Sequence, residues 1–282
     1  MTHAEVDLTK MSQQVRRDIL RMIYNAKSGH PGGALGCTDF MVTLYWRILK
    51  HDPNAFTLDG NGEDVFILSN GHLSALWYSV LARRGYFPLE ELKTFRKINS
   101  RLQGHPTNAE GLPGVRTATG SLGQGLSVAI GMALGKKLNH DPHLVYCLMG
   151  DGEIEEGQIW EAAAFASAKK VDNLIAIIDW NDKQIDGPVH EVLNPGDLKA
   201  KWQAFGFHVF EMDGHNHEEI EKTLLEAKKL SGQKKPIMIL MRTIMGKGVS
   251  FMENDHKWHG TPPNDEQFQQ AMAEIPETYG DF

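Results

Sequence analysis

An apolar run, Leu144–Met149, passes without a break into Gly150-Asp151-Gly152, and no other feature of the chain constrains its fold as much. A stretch of helical periodicity follows, Ile159–Lys170, then a second apolar run, Leu174–Asp179, and then Asn181. Two short apolar runs joined by a helix form a βαβ unit, whose strands lie parallel and finish on the same edge of a sheet. Asp151 and Asn181 are 30 residues apart, a normal length for such a unit, so they should be neighbours in space. A bare Gly-Asp-Gly is more often only a turn. Strand, Gly-Asp-Gly, helix, strand and Asn in that order make a site.

The same alternation runs through the chain. Further strands are predicted at Val65–Leu68, Phe207–Met212 and Ile237–Met241. Further helices are predicted at Met11–Ala26, Thr38–Lys50, Gly123–Leu138 and His217–Leu230. This pattern predicts an α/β fold, a doubly wound and mostly parallel sheet with helices on both faces. Residues 1–282 read as one domain, because neither a repeat nor a Pro/Ser-rich linker divides them. Ligands of such sheets bind beyond the carboxyl ends of the strands. The loops after Leu68, Met149 and Asp179 are therefore the places to look for chemistry.

An Asp carboxylate and an Asn carbonyl oxygen are hard ligands. They suit magnesium, with calcium or manganese as alternatives, and do not suit zinc. Two or three protein oxygens leave positions open on an octahedral ion, and diphosphate oxygens fit them. Gly152 would let the backbone approach a phosphate, and the helix after it would offer free N–H groups. The acidic run Glu153, Glu155 and Glu156 suits the start of a helix.

Composition excludes other classes. The net charge of -7, with no basic stripe, argues against a nucleic-acid surface. No apolar run is long enough to span a bilayer, and Met1 to Lys10 lacks the apolar core of a signal peptide, so the cytoplasm is the expected compartment. Cys37 and Cys147 sit in separate apolar runs and read as small buried hydrophobes, not as a disulfide or a zinc site. His215 and His217 fit no motif and read as solvated loop residues.

Several segments together resemble the transketolase family of thiamine diphosphate enzymes. They are Ser28-Gly-His-Pro-Gly-Gly33, Ser69-Asn-Gly-His72, Gly104-His-Pro106, Thr119-Gly-Ser-Leu-Gly-Gln-Gly125, Gly150-Asp-Gly-Glu-Ile-Glu-Glu-Gly157, Ile185-Asp-Gly187 and Asp255-His-Lys-Trp-His-Gly260. They occur in family order and cover nearly the whole chain. The resemblance implies thiamine diphosphate as cofactor, with a metal held by Asp151, Asn181 and the main-chain carbonyl of Lys183, whose side chain would point elsewhere. It implies that His30, His105 and His256 line a substrate channel, where imidazoles exchange protons with sugar hydroxyls near neutral pH. His72 would bond the diphosphate or the channel wall. Gly120, Ser121 and Leu122 would lie against the cofactor, Gly120 because a side chain would collide and Leu122 as an apolar wall. Ile185 would press on the cofactor's folded middle. Glu156 stands where the family has a carboxylate linking two active sites across a dimer.

Full-length transketolases resemble this chain only over their first part. The later part carries the pyrimidine-binding and C-terminal domains, with the glutamate that activates the cofactor, and nothing here matches that glutamate. Three readings follow: one subunit of a split enzyme, a piece of a longer protein, or a silent binding module. The split transketolase is favoured. It would pair with a second chain carrying the missing domains, two copies of each, and transfer a two-carbon ketol unit between sugar phosphates. Another two-chain thiamine enzyme, of the 2-oxoacid dehydrogenase type, is the alternative. The histidines of Ser28–Gly33 and Gly104–Pro106 argue against it, because they suit sugar hydroxyls.

Overall fold

The computed structural model describes residues 6–282, so part of the polar stretch from Met1 to Lys10 lies outside the described residues. Five strands form one parallel sheet: β1 (Val65–Leu68), β2 (Val145–Gly150), β3 (Leu174–Trp180), β4 (His208–Asp213) and β5 (Ile237–Arg242). Their spatial order is β1-β2-β3-β5-β4. All five predicted strands are present, with ends shifted by one residue in places.

Successive side chains of a strand point to opposite faces, and here both faces are buried. One face carries Phe66, Leu68, Tyr146, Leu148, Ile175, Ile177, Ile237 and Ile239. These pack beneath helices Leu8–Ala26, Ser74–Arg83 and His217–Lys229. The other carries Val65, Ile67, Val145, Cys147, Leu174, Ala176, Met238 and Leu240, covered by Gly125–Leu138, Gly157–Ala168 and Leu198–Ala204. The sheet is doubly wound, as predicted. Cys37 and Cys147 are free and buried.

Two helices depart from the sequence reading for physical reasons. The continuous helix predicted over Thr38–Lys50 is α-helical only to Thr43 and continues as a π-helical turn, Leu44–Ile48. The Thr43 hydroxyl donates to the Asp39 carbonyl (2.8 Å) inside the ladder, a contact of the kind that bends helices. Ser74–Arg83 was not predicted. It is buried on nearly all sides, so no amphipathic stripe announced it.

A buried ion pair ties the first helix to this one. Arg83 donates to both oxygens of Asp18 (2.6 and 2.8 Å), and Ser79 adds a third bond (2.7 Å). Asp18 is fully buried, so removing it strands a guanidinium in the interior. Asp18→Ala should lower stability by about 3–5 kcal/mol. Urea titration of the variant against the native chain measures it.

Candidate functional site at the carboxyl edge of the sheet

The register of the central strands builds the site. Gly150 at the end of β2 pairs with Asp179 near the end of β3, and the Asp151 N–H donates to the Asp179 carbonyl (3.2 Å). Asp151 thus lands beside the β3 terminus, where Asn181 follows. Its carboxylate is 2% exposed. One oxygen accepts from the Gly152 N–H (2.9 Å) and the other from the Asp182 N–H (2.5 Å). Asn181 is oriented from both sides: its amide nitrogen donates to Asp179 (2.8 Å), and its oxygen accepts from the Lys183 N–H (2.9 Å). Burial, together with the neighbouring Asp179, pushes the Asp151 carboxyl well above the usual carboxylate range. Such a carboxylate is short of a cation.

Among the described residues no three His, Cys, Asp or Glu side chains gather as a metal centre. A metal here must use one carboxylate, one amide oxygen and main-chain or ligand oxygens. Asp151 and Asn181 supply that donor set, so the residues fit a hard divalent ion. The helix expected over Ile159–Lys170 runs from Gly157 to Ala168, and a 3-10 turn, Glu153–Glu155, stands between it and Gly152.

Asp151, Gly152, Asn181 and Lys183 line one side of a cleft of about 200 Å³. His72, Leu122, Glu156 and Ile185 line it too, with Asn70, Asp179, Met245 and His259. The Lys183 ammonium stands 3.9 Å from the Asp182 carboxylate. Leu122 and Ile185 are 40% and 64% exposed, high values for apolar side chains facing a cleft. Glu156 is exposed.

Four imidazoles cluster at this cleft: His72 and His259 line it, and His30 and His105 pack beside them without being among its lining residues. The His30 ring lies 5.1 Å from His72, 5.6 Å from His259 and 6.2 Å from His105, and His72 lies 5.0 Å from His259. Gly120 has a φ of +104°, and a Cβ there would strike the His105 ring, so the glycine makes room for a histidine. Two buried polar atoms in this region, Nδ1 of His30 and Oδ1 of Asn70, have no partner. Ser121 sits in the same loop, in a neighbouring recess with Thr119 and Gln124.

The late loop presents its second histidine to the cleft. His259 lines the cleft, whereas His256 does not and has Asp255 as its charged neighbour at 3.9 Å. Trp258 is buried and donates to the Phe251 carbonyl (3.0 Å), which anchors the loop beside it. A Cβ on Gly260 would approach the His30 ring to 3.3 Å, so the chain comes close here. A histidine followed by glycine was the signal in the sequence that could have separated His259 from His256.

His215 and His217 are corrected: both are only about 15% exposed in their side chains and neither is a free loop residue. His215 contacts Asp39 (2.9 Å) through Nδ1 and accepts the Ile244 N–H (2.8 Å) at Nε2. His217 contacts Thr43 (2.7 Å). Arg16 completes the group with a two-pronged bond to Asp39 (3.0 and 2.6 Å). This network holds the segment that carries Met245 into the cleft. Sequence reading also missed Asp179, which accepts from Thr243 and Asn181 while almost fully buried.

The fold and cleft together define an α/β domain with a ligand-sized cleft at the carboxyl edge of its sheet, lined by carboxylates, imidazoles and exposed apolar side chains. The family described as "Transketolase, thiamine diphosphate binding domain" matches residues 8–277. The chain belongs to the transketolase family. It is 40% identical to a 6-deoxy-6-sulfo-D-fructose transketolase subunit of Clostridium sp. (strain MSTE9), covering 98% of each chain. It is 38% identical to an apulose-4-phosphate transketolase subunit of Phocaeicola vulgatus, over 96% of this chain and 94% of that one. The crystal structure of Campylobacter jejuni transketolase superposes with a TM-score of 0.88 at 37% identity, over 95% of this chain but 42% of that one. Human transketolase likewise matches over 95% of this chain and 42% of its own length.

The cluster's protonation can be measured. Burial first, then His259, Arg96 and His105, lowers His30 to about 4. Burial likewise lowers His72, His105 and His259. In the unfolded chain these imidazoles titrate at about 6.5. Between roughly pH 6.5 and 4 the unfolded state therefore binds more protons, and folding stability falls as pH falls. Above that window the contribution is constant. His30→Asn should lose less stability than the native chain between pH 7 and 4.5. Urea midpoints across that range test it, and parallel curves would refute it.

Proposed function

We propose that this chain is the diphosphate-binding subunit of a two-chain transketolase. In this reading it transfers a two-carbon ketol unit from a ketose phosphate to an aldose phosphate. The observation that carries the proposal is what one cleft brings together: a buried Asp151 whose carboxyl is pushed up, the histidines His72 and His259, and the uncovered apolar residues Leu122 and Ile185. End-to-end matches to proteins named as separate transketolase subunits support it.

Bound thiamine diphosphate would supply the carbon nucleophile that carries the ketol unit. The chain's own residues do the rest. Asp151, the Asn181 oxygen and the Lys183 carbonyl would hold magnesium, with calcium or manganese as alternatives, and through it the diphosphate. Leu122 and Ile185 would cover the cofactor's apolar body and exclude water. His30, His105 and His259, held neutral by burial, can donate or accept a proton at a sugar hydroxyl, and His72 would steady the diphosphate side. Glu156 reaches outward at the rim, a position suited to a contact with a second active site.

Residues 1–282 would form one domain, with the pyrimidine-binding and C-terminal domains on a partner chain and two copies of each in the assembly. An apolar wall with only one side present calls for that partner. We place the enzyme in the cytoplasm, in keeping with two free thiols.

Three measurements test this function. Asp151→Ala in the two-chain complex should abolish magnesium-dependent thiamine diphosphate binding in calorimetry while the chain stays folded; unchanged affinity would sink the metal assignment. His30→Ala and His259→Ala should slow ketol transfer by about 10²–10⁴-fold at unchanged cofactor affinity, and His256→Ala should stay within a few-fold of native activity. The rigorously purified single chain should show no transfer. A rate on the order of 1 per second or more from it alone would overturn the need for a partner.

A further inference from the structure

Glu153 has a role that its place in an acidic run conceals. Glu153 is 3% exposed, and three donors converge on its carboxylate, two from loops distant in the sequence and one from the end of β2. One oxygen accepts the Ser69 hydroxyl, from the loop after β1, and the Gly123 N–H (2.9 Å), from the Thr119–Gly125 loop. The other accepts the Gly150 N–H (3.0 Å), at the end of β2. These loops carry Asn70 and His72, Leu122, and Asp151 respectively, one wall of the cleft each. The loops also interlock without it: a Cβ on Gly125 would run into the Ser69 side chain.

We propose that Glu153 is a positioning residue that fixes the three cleft loops against one another. An acceptor-only group is required at this point, because two of the converging donors are backbone N–H groups that cannot turn round. A carboxylate satisfies all three at once, through charge-assisted bonds stronger than neutral ones. Glutamine is the informative substitution. Its size is the same, but its NH₂ must face either the Gly123 or the Gly150 N–H, and a buried donor is then left unpaired. The proposal concerns the ligand-free loops. Its importance for cofactor binding rests on the function proposed above.

Hydrogen exchange of the full ligand-free chain, read by mass spectrometry, is the test. In Glu153→Gln, segments 69–73, 119–125 and 149–155 should exchange faster together, by about tenfold or more, as loss of one charge-assisted bond implies. Segment 174–180 in β3 should keep its native protection. Acceleration confined to 149–155 would reduce Glu153 to a local turn brace, and equal acceleration in 174–180 would reduce it to general stability; either result overturns the proposal, as does unchanged exchange. If Glu153→Gln does not fold, Ser69→Ala removes one of the three bonds alone. It should loosen 69–73 with 174–180 unchanged, and native protection of 69–73 would overturn the proposal. Calorimetry with magnesium and thiamine diphosphate, run alongside on the native chain with its partner, separates the two proposals. Loops that loosen as expected around a cleft that binds no cofactor would leave the clamp standing and remove the proposed function.

Discussion

The pairing of Gly150 with Asp179 is the contact on which the rest of the site depends. In a parallel sheet both strands end on one edge, so a shift of one residue would turn Asp151 to the opposite face and part it from Asn181. That register is held by what lies behind it. Alternate residues of β2 and β3 enter two separate apolar cores, and slipping either strand would exchange its whole set between them. Packing some distance from the cleft therefore sets where the Asp151 carboxylate stands.

Negative charge follows from this geometry. Asp151, Glu153 and Asp179 all lie within the carboxyl edge, each no more than 3% exposed. Their hydrogen-bond partners are backbone N–H groups, hydroxyls, an amide and the Cys37 thiol, and not Lys or Arg. Backbone dipoles steady a buried carboxylate but bring no net charge. Burial pushes all three carboxyls up, most strongly at Asp151, where Asp179 adds to the effect. A divalent ion would reverse that local balance.

Much of this was legible in the sequence, for reasons that differ between elements. The strands of a buried parallel sheet are continuous apolar runs, and Leu174–Asp179 and Ile237–Met241 could hardly be anything else. The Asp151–Asn181 juxtaposition followed from chain length and parallel topology alone. Side-chain direction was not legible. His256 and His259 lie one short turn apart in the same loop, and it is the fold of that turn that brings His259 and not His256 to the cleft lining. His215 and His217 looked idle because their partners, Asp39 and Thr43, are some 175 residues away along the chain, 176 and 174 respectively. Glu153 looked like a helix-start charge because the sequence does not reveal the donors from distant loops. Helix Ser74–Arg83 was invisible for the opposite reason, since burial on all sides leaves no periodicity to read.

The cleft divides its labour by charge. Its lining brings buried carboxylates and imidazoles into one cleft, and burial acts on the two with opposite signs of charge but the same result. It disfavours the ionised form in each case, raising the acids and lowering the bases. The histidines are kept as neutral groups that can both give and take a proton, a state they would lose if the acids approached closely enough to pair with them. Leu122 and Ile185 line the same cleft as Asp151 and His72. Under the proposed function their exposed apolar surface would meet the cofactor's body, while the carboxylate side holds the metal and the imidazoles stay free for hydroxyl groups.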